Sequence, residues 1–276
     1  MTTKHRAAVL GSPIAHSLSP DLHRAAFAAL GLDGWRYDRF ELDEAALPGF
    51  VAGLDEAQWA GLSLTMPLKR AVIPLLDEVS ATARAVDAVN TVVFTADGRR
   101  TGDNTDVRGL VNALRERGIT EVPGAAVLGA GATASSALAA LAQICTGEVT
   151  VYVRSAERAR EMAELGERLG VVVRTADWEH GAEALAQPLT VSTTPAGSTD
   201  GFVAALPAEP GALFDVLYHP WPTALAAECA GRGATVLGGL DLLVHQAVLQ
   251  SEAFTGRTPG PLAAMREAGE KALSRR

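Results

Sequence analysis

Short apolar runs alternate with segments whose apolar residues recur at helical spacing, and this alternation over most of the chain predicts βαβ units. Residues 7–10 read as a first strand. A helix follows from Pro20, with Leu22, Ala26, Ala29 and Leu30 on one face and Gly31 at its C-cap. Residues 35–40 and 61–65 read as the next two strands. The second runs into Met66-Pro67-Leu68-Lys69, where Pro67 suits the first turn of a helix and Pro74 breaks that helix near Ile73. Residues 89–94 and 99–102 flank Asp97-Gly98, a hairpin signal. Asp103-Asn104-Thr105-Asp106 then opens a helix carrying Val107, Leu110, Val111 and Leu114, closed by Gly118.

A second α/β block begins at Ala125. Residues 125–128 form an apolar strand, followed by Gly129-Ala130-Gly131-Ala132-Thr133-Ala134 and an Ala-rich helix to about Ile144. Residues 149–153 are the next strand, and Ser155 can N-cap a helix that ends at Gly170. Residues 171–175, 189–193, 213–216 and 235–237 are further strand candidates. From about Leu240 the tail is helical, with Leu243, Ala247 and Gln250 at helical spacing. Motif placement puts boundaries near 106 and 240, giving one domain of 1–106 plus 240–276 and another of 107–239.

Composition narrows the classes. The 276 residues carry 24 Lys+Arg against 32 Asp+Glu, a net charge of −8, which argues against a nucleic-acid binder needing a basic footprint. Cys145 and Cys229 make neither a disulfide framework nor a Cys-rich zinc site. No apolar run approaches the roughly 20 residues of a membrane span, and the apolar stretch after Met-Thr-Thr-Lys-His-Arg is too short for a signal-peptide core. The expectation is a cytoplasmic protein with no membrane partner. His16, His23 and His245 form no ligand pattern, so no metal is expected; His16 reads as a turn residue.

Gly129-x-Gly131-x-x-Ala134 lies between a predicted strand and a predicted helix, the context that a dinucleotide site requires. Gly129 permits the tight turn, Gly131 lets backbone approach a pyrophosphate, and Ala134 is small enough for close helix–sheet packing. The helix N-terminus supplies unpaired N–H groups for the anion. The alternative is an ordinary tight turn in an Ala/Gly-rich protein. An acidic residue at the tip of the following strand would favour NAD, but that strand ends in Arg154-Ser155, with Arg158 one turn on. Arginine grips a 2′-phosphate, so the expected cofactor is NADP.

At the other end, Ser17-Leu18-Ser19-Pro20 places two hydroxyls where they could converge on an anion, although Ser before Pro is also an N-cap signature. Lys69 near a helix start opposes the helix dipole, a small cost that motivates a functional reading, whereas Asp106 at a helix start is favourable in its own right.

Taken together, Ser17-Leu18-Ser19-Pro20, Thr65-Met66-Pro67-Leu68-Lys69, Ala88-Val89-Asn90-Thr91, Asn104-Thr105-Asp106, Gly129–Ala134, Thr193-Thr194-Pro195 and the run from Gly239 to Ala247 resemble the shikimate dehydrogenase family, in order and over nearly the whole chain. The resemblance implies two α/β domains: an N-terminal substrate domain and a Rossmann-type dinucleotide-binding domain with a parallel sheet, a cleft between them, and C-terminal helices returning to the first. It implies NADP-dependent reduction of 3-dehydroshikimate to shikimate, with Lys69 and Asp106 as the catalytic pair. Ser17 and Ser19 would bind the substrate carboxylate, while Thr65, Asn90, Asp106 and Gln246 would contact hydroxyls and Tyr218 would close from the cofactor side. The cofactor set would be Gly129, Ala130, Gly131, Ala132, Thr133, Ala134, Arg154, Ser155, Arg158, Thr193 and Gly239. The chain departs from the family where Ser63 replaces a frequent Asn, where Ala132 replaces a Gly, and where Val153-Arg154-Ser155 replaces Asn-Arg-Thr. Some relatives that oxidise quinate carry Thr in place of the second serine, so the resemblance with Ser19 leans towards shikimate. Quinate or aminoshikimate dehydrogenation, or a non-catalytic NADP-binding sensor, are the alternatives, in a monomer or homodimer.

Overall fold

The computed structural model describes residues 5–276. The chain divides into two compact units: one runs through Thr105 and resumes over Leu243–Arg276, and the other is Asp106–Leu242. The first opens with β1 (Arg6–Gly11), α1 (Ser19–Ala29), β2 (Arg36–Glu41), α2 (Leu47–Ala52), β3 (Trp59–Leu64) and α3 (Leu68–Ala71). It continues with β4 (Glu78–Val79), α4 (Ala81–Val86), β5 (Thr91–Phe94) and β6 (Arg100–Asp103). Helix α5 (Thr105–Glu116) leads into the second unit, built from β7 (Ala125–Leu128), α6 (Ala132–Leu141), β8 (Val149–Val153), α7 (Ala156–Leu169), β9 (Val173–Asp177), β10 (Leu189–Ser192), β11 (Ala212–Asp215), α8 (Ala224–Gly231) and β12 (Val236–Leu237). Helix α9 (Gly239–Thr255) returns to the first unit, followed by α10 (Leu262–Leu273).

The first sheet runs β2-β1-β3-β5-β6-β4. β2, β1 and β3 are parallel, as the alternation predicts. The chain then reverses: the Asp97-Gly98 turn, with Gly98 at φ +81°, folds β5 and β6 into an antiparallel hairpin, and β5 also pairs antiparallel with β3. Every residue of β3 is buried, because helices cover both faces of this central strand. Gly61 of β3 is required by the packing, since a Cβ there would stand 2.3 Å from the Phe254 ring of α9 and 2.4 Å from the Val92 carbonyl oxygen.

The second sheet, β12-β11-β10-β7-β8-β9, is parallel throughout. This is the doubly wound order in which the chain switches direction between β7 and β10, and ligands bind beyond the carboxyl ends of the strands at that switch.

Several expectations shift. The strand expected at 171–175 begins at Val173, because Gly170 at φ +69° caps α7 and the Val171 N–H is spent on the Gly166 carbonyl, 3.0 Å away. The Ala-rich helix ends at Leu141 rather than near Ile144. Ser19 is not an N-cap. Leu18 occupies that position with no side-chain capping bond, and Ser19 is the first helical residue. Pro67 stands before α3 instead of inside it. Ser155 does cap α7, accepting from the Arg158 N–H at 3.3 Å. Helices α2, α4 and α8 and the short β4 had no clear period in the sequence, being six, six, eight and two residues long.

Candidate active site

Beyond the carboxyl ends of β7, β8 and β10 lies a cavity of about 320 Å³. Gly129, Ala130 and Gly131 line one side. Gly129 sits at φ +106°, and a Cβ there would fall 2.7 Å from the Thr193 Oγ1, so glycine is needed on both conformational and steric grounds. Gly131 precedes the first turn of α6, and a Cβ there would project into open space, which leaves the backbone accessible to a ligand. Ala132 and Thr133 form that first turn and are half-buried; Ala134 is fully buried where the helix meets the sheet. Thr193 is held by its hydroxyl and its N–H, both donating to the Leu128 carbonyl at 2.9 and 3.0 Å.

Arg154, Ser155 and Arg158 line the opposite side. The Arg154 guanidinium lies 4.7 Å over the Trp178 ring, which itself packs on Phe202 at 5.0 Å between centroids. Arg158 pairs with Glu161 at 2.6 Å. Trp178 is a lining residue the sequence did not single out; it lies in a 3₁₀ stretch just past β9, where no periodicity marks it. Gly239 opens α9 against the 216–217 segment: its N–H donates to the Leu217 carbonyl at 2.9 Å, and a Cβ would stand 2.1 Å from the Val216 carbonyl oxygen. Half-buried Tyr218 follows directly on that segment.

In the first unit, the structure gathers a buried polar network around Asn90. The Asn90 Oδ1 accepts from the Thr105 N–H at 2.8 Å, the Thr91 hydroxyl at 2.8 Å and the Thr105 hydroxyl at 3.1 Å. Its Nδ2 lies 3.5 Å from the Gln246 Oε1, and the Gln246 Nε2 donates to the Leu243 carbonyl at 2.8 Å. Lys69, half-buried in α3, accepts the Val89 N–H on its carbonyl at 2.8 Å, and the Leu64 N–H donates to the Asn90 carbonyl, also at 2.8 Å. These bonds fix the segments bearing Thr65, Lys69 and Asn90 against one another. Asp106 is buried in the first turn of α5, one residue after Thr105.

At the start of α1, the Ser17 hydroxyl accepts the Ser19 N–H at 3.3 Å, and the loop before it is held by Arg39 and Arg276, which donate to the Ala15 and His16 carbonyls. Ser19 is buried. Tyr37 donates to Ser63 at 2.7 Å, and Ser63 donates to the Gln250 Oε1 at 2.7 Å. His23, Tyr37 and Gln250 were missed as parts of the site's support. Gln250 gave a signal: it follows Gln246 by one helical turn, and a glutamine on a buried stripe needs partners for its amide. His245 is buried on α9 with its Nε2 3.5 Å from Arg266. Among the described residues there is no His, Cys, Asp or Glu cluster able to hold a metal, and no helix is long and apolar enough to cross a membrane.

With this geometry in place, the comparisons decide the family. Residues 9–92 match the model of the shikimate dehydrogenase substrate binding domain, and residues 239–268 match that of the shikimate 5′-dehydrogenase C-terminal domain. An NADP(+) shikimate dehydrogenase of Thermus thermophilus is 39% identical over 272 residues, covering 97% of this chain and 98% of that one. The chain belongs to the shikimate dehydrogenase family. Shikimate dehydrogenase from Mycobacterium tuberculosis superposes with a TM-score of 0.86 at 41% identity, covering 99% of this chain and 100% of that one. A shikimate 5-dehydrogenase of Thermus thermophilus, solved in complex with NADP(H) and shikimate, does so with a TM-score of 0.82 at 35% identity, covering 97% and 99%.

Proposed function

We propose that this chain is an NADP-dependent shikimate dehydrogenase, interconverting 3-dehydroshikimate and shikimate. The observation that supports the reading best is the buried polar network around Asn90 together with a glycine turn at the switch point of a parallel sheet. The parallel sheet bears the glycine turn at its switch point, and Asn90, Thr105 and Gln246 gather beside the Lys69 segment. NADP, when bound, accepts or supplies the hydride at the substrate's C3. The protein's part is binding, orientation and proton handling.

Ser17 and Ser19 bind the substrate carboxylate. Thr65, Asn90, Asp106 and Gln246 bind its hydroxyls, and Tyr218 closes the site from the cofactor side. In the reductive direction negative charge develops on the C3 oxygen, and a donor aimed there stabilises the transition state more than the ground state. Lys69 is that donor and, in the oxidative direction, the acceptor of the hydroxyl proton, with Asp106 as its partner. The backbone around Gly129, Ala130 and Gly131 and the N-terminus of α6, with Ala132, Thr133 and Ala134, take the pyrophosphate. Arg154, Ser155 and Arg158 take the 2′-phosphate, while Thr193 and Gly239 shape the remaining wall of the cofactor site. Two features support NADP over NAD: no carboxylate stands at the tip of β8, and Arg154 lines the cavity from a stacked, oriented position. The protein acts in the cytoplasm on small molecules, with no nucleic-acid or membrane partner, as a monomer or homodimer.

Replacing Lys69 tests the chemistry. Lys69→Ala is expected to lower kcat for shikimate oxidation by about a hundredfold or more, the usual reach of general acid–base catalysis, while changing KM far less. An unchanged kcat would remove Lys69 from its role.

A further inference from the structure

Gln250 lies one helical turn beyond Gln246 and is 1% exposed, yet every polar group of its side chain is engaged. Its Nε2 donates to the Asn90 carbonyl and to the Thr91 hydroxyl, both at 3.0 Å. Its Oε1 accepts from the Ser63 hydroxyl at 2.7 Å and faces the His23 Nε2 at 3.3 Å. The orientation of this amide is not open to reversal. The Asn90 carbonyl only accepts, so the group facing it is the NH₂. The Oε1 therefore faces His23, whose Nε2 carries the proton. Burial keeps that imidazole neutral, its pKa lowered to about 3.

The consequence passes to Asn90. Because the Thr91 oxygen accepts from Gln250, its own proton is free to go to the Asn90 Oδ1, 2.8 Å away. The Thr105 N–H, which can only donate, fixes the same oxygen from another side at 2.8 Å. With its Oδ1 turned to the Thr91 hydroxyl and the Thr105 N–H, the Asn90 amide presents its Nδ2, a donor, on the side of the Gln246 Oε1. A substrate hydroxyl at that point must accept from Asn90 and send its own proton elsewhere.

We propose that Gln250 is a positioning residue: through the Asn90 carbonyl and the Thr91 hydroxyl it holds the Asn90 side chain in the one orientation that presents its amide as a donor to a substrate hydroxyl. The assignment rests on the reading of Asn90 as a substrate contact. It distinguishes Gln250 from Gln246, which sits on the same helix and meets Asn90 from the ligand side of the amide. Ser63 takes part by holding the Gln250 oxygen, so the residue that replaces the family's frequent Asn anchors the amide from below.

The experiment is a mutant cycle read in substrate affinity. Gln250→Met keeps length and apolar volume but loses all four bonds. It is expected to raise KM for shikimate about tenfold, the scale of its two bonds to Asn90 and Thr91, with kcat within about twofold and KM for NADP+ unchanged. In an Asn90→Ala background the same change is expected to cost almost nothing, because the group it positions is gone. Thr91→Val, nearly isosteric and suited to β5, is expected to act in the same direction by a smaller factor, and it carries the test if Gln250→Met does not fold. An equal factor in both backgrounds, or a lowered Tm with KM untouched, would mean that Gln250 only stabilises the fold and would overturn the assignment. A wild-type chain that fails to turn over shikimate overturns both the functional reading and the assignment resting on it; additive effects in an active enzyme overturn the assignment alone.

Discussion

His23 is fully buried, stacked on Tyr37 with ring centroids 4.1 Å apart, and burial depresses its pKa from 6.5 to about 3. In the unfolded chain the imidazole titrates at its ordinary value. Between about pH 6.5 and pH 3 the unfolded state therefore holds the extra proton, and stability rises with pH across that window and falls as pH drops through it. At pH 4.5, two units below the unfolded value, the loss from this residue is about 3 kcal/mol. Removing the imidazole with His23→Phe is expected to flatten the dependence of urea stability on pH between 6.5 and 4.5 by about that amount, whatever it does to absolute stability. Equal slopes in the two proteins would show that His23 is not held neutral. Arg154 makes a separate prediction. Its stacked guanidinium is assigned to the 2′-phosphate, so Arg154→Ala is expected to raise KM for NADP+ about tenfold while leaving KM for NAD+ nearly unchanged. At this scale the sequence was informative where a residue type is unusual for its place, as with Arg154 at a strand tip. It was silent on Tyr37 and Trp178, whose importance comes from partners 26 and 24 residues away, Ser63 and Arg154. Ser19 shows the opposite failure: its local pattern also read as a helix cap, but it is the first helical residue of α1 and is buried.

Elements were legible where one period ran long enough. Helices α1, α5 and α7 and the strands β1, β3, β7, β8 and β10 stand close to their expected places. Caps set the errors at element ends, because hydrogen bonds such as that from Val171 to Gly166 consume residues whose composition reads as strand. Elements of six residues or fewer, such as α2, α4 and β4, offer no full amphipathic period to detect. Close approaches between elements were not legible either. Gly61 reads as one small residue in an apolar strand, yet it is where α9 lies against β3. Gly61→Ala would force the Phe254 ring and the Val92 backbone to move. The expected result is a loss of about 1–3 kcal/mol in unfolding free energy, measured by urea denaturation, the usual cost of overpacking a core. Unchanged stability would mean that α9 can shift off the strand at no cost.

For the whole molecule, the boundaries near 106 and 240 came from where motifs fall, and the compact units divide at Thr105/Asp106 and Leu242/Leu243, inside α5 and α9. The architecture of the first unit was harder to read than that of the second. Its sheet is mixed, because a tight Asp97-Gly98 turn leaves no room for the crossover a parallel pair would need. In the proposed reading an acidic chain of net charge −8 would hold two anionic ligands through local donors: two serines at the head of α1, the N-terminus of α6, and arginines beyond β8. These donors and Lys69 are proposed to serve one reaction. The measurement that tests it most directly is the initial rate of nicotinamide reduction by the purified chain, with shikimate or quinate crossed against NADP+ or NAD+. Shikimate with NADP+ is expected to give the highest kcat/KM of the four pairs. Absence of turnover with every pair, or a preference for quinate or for NAD+, would contradict it.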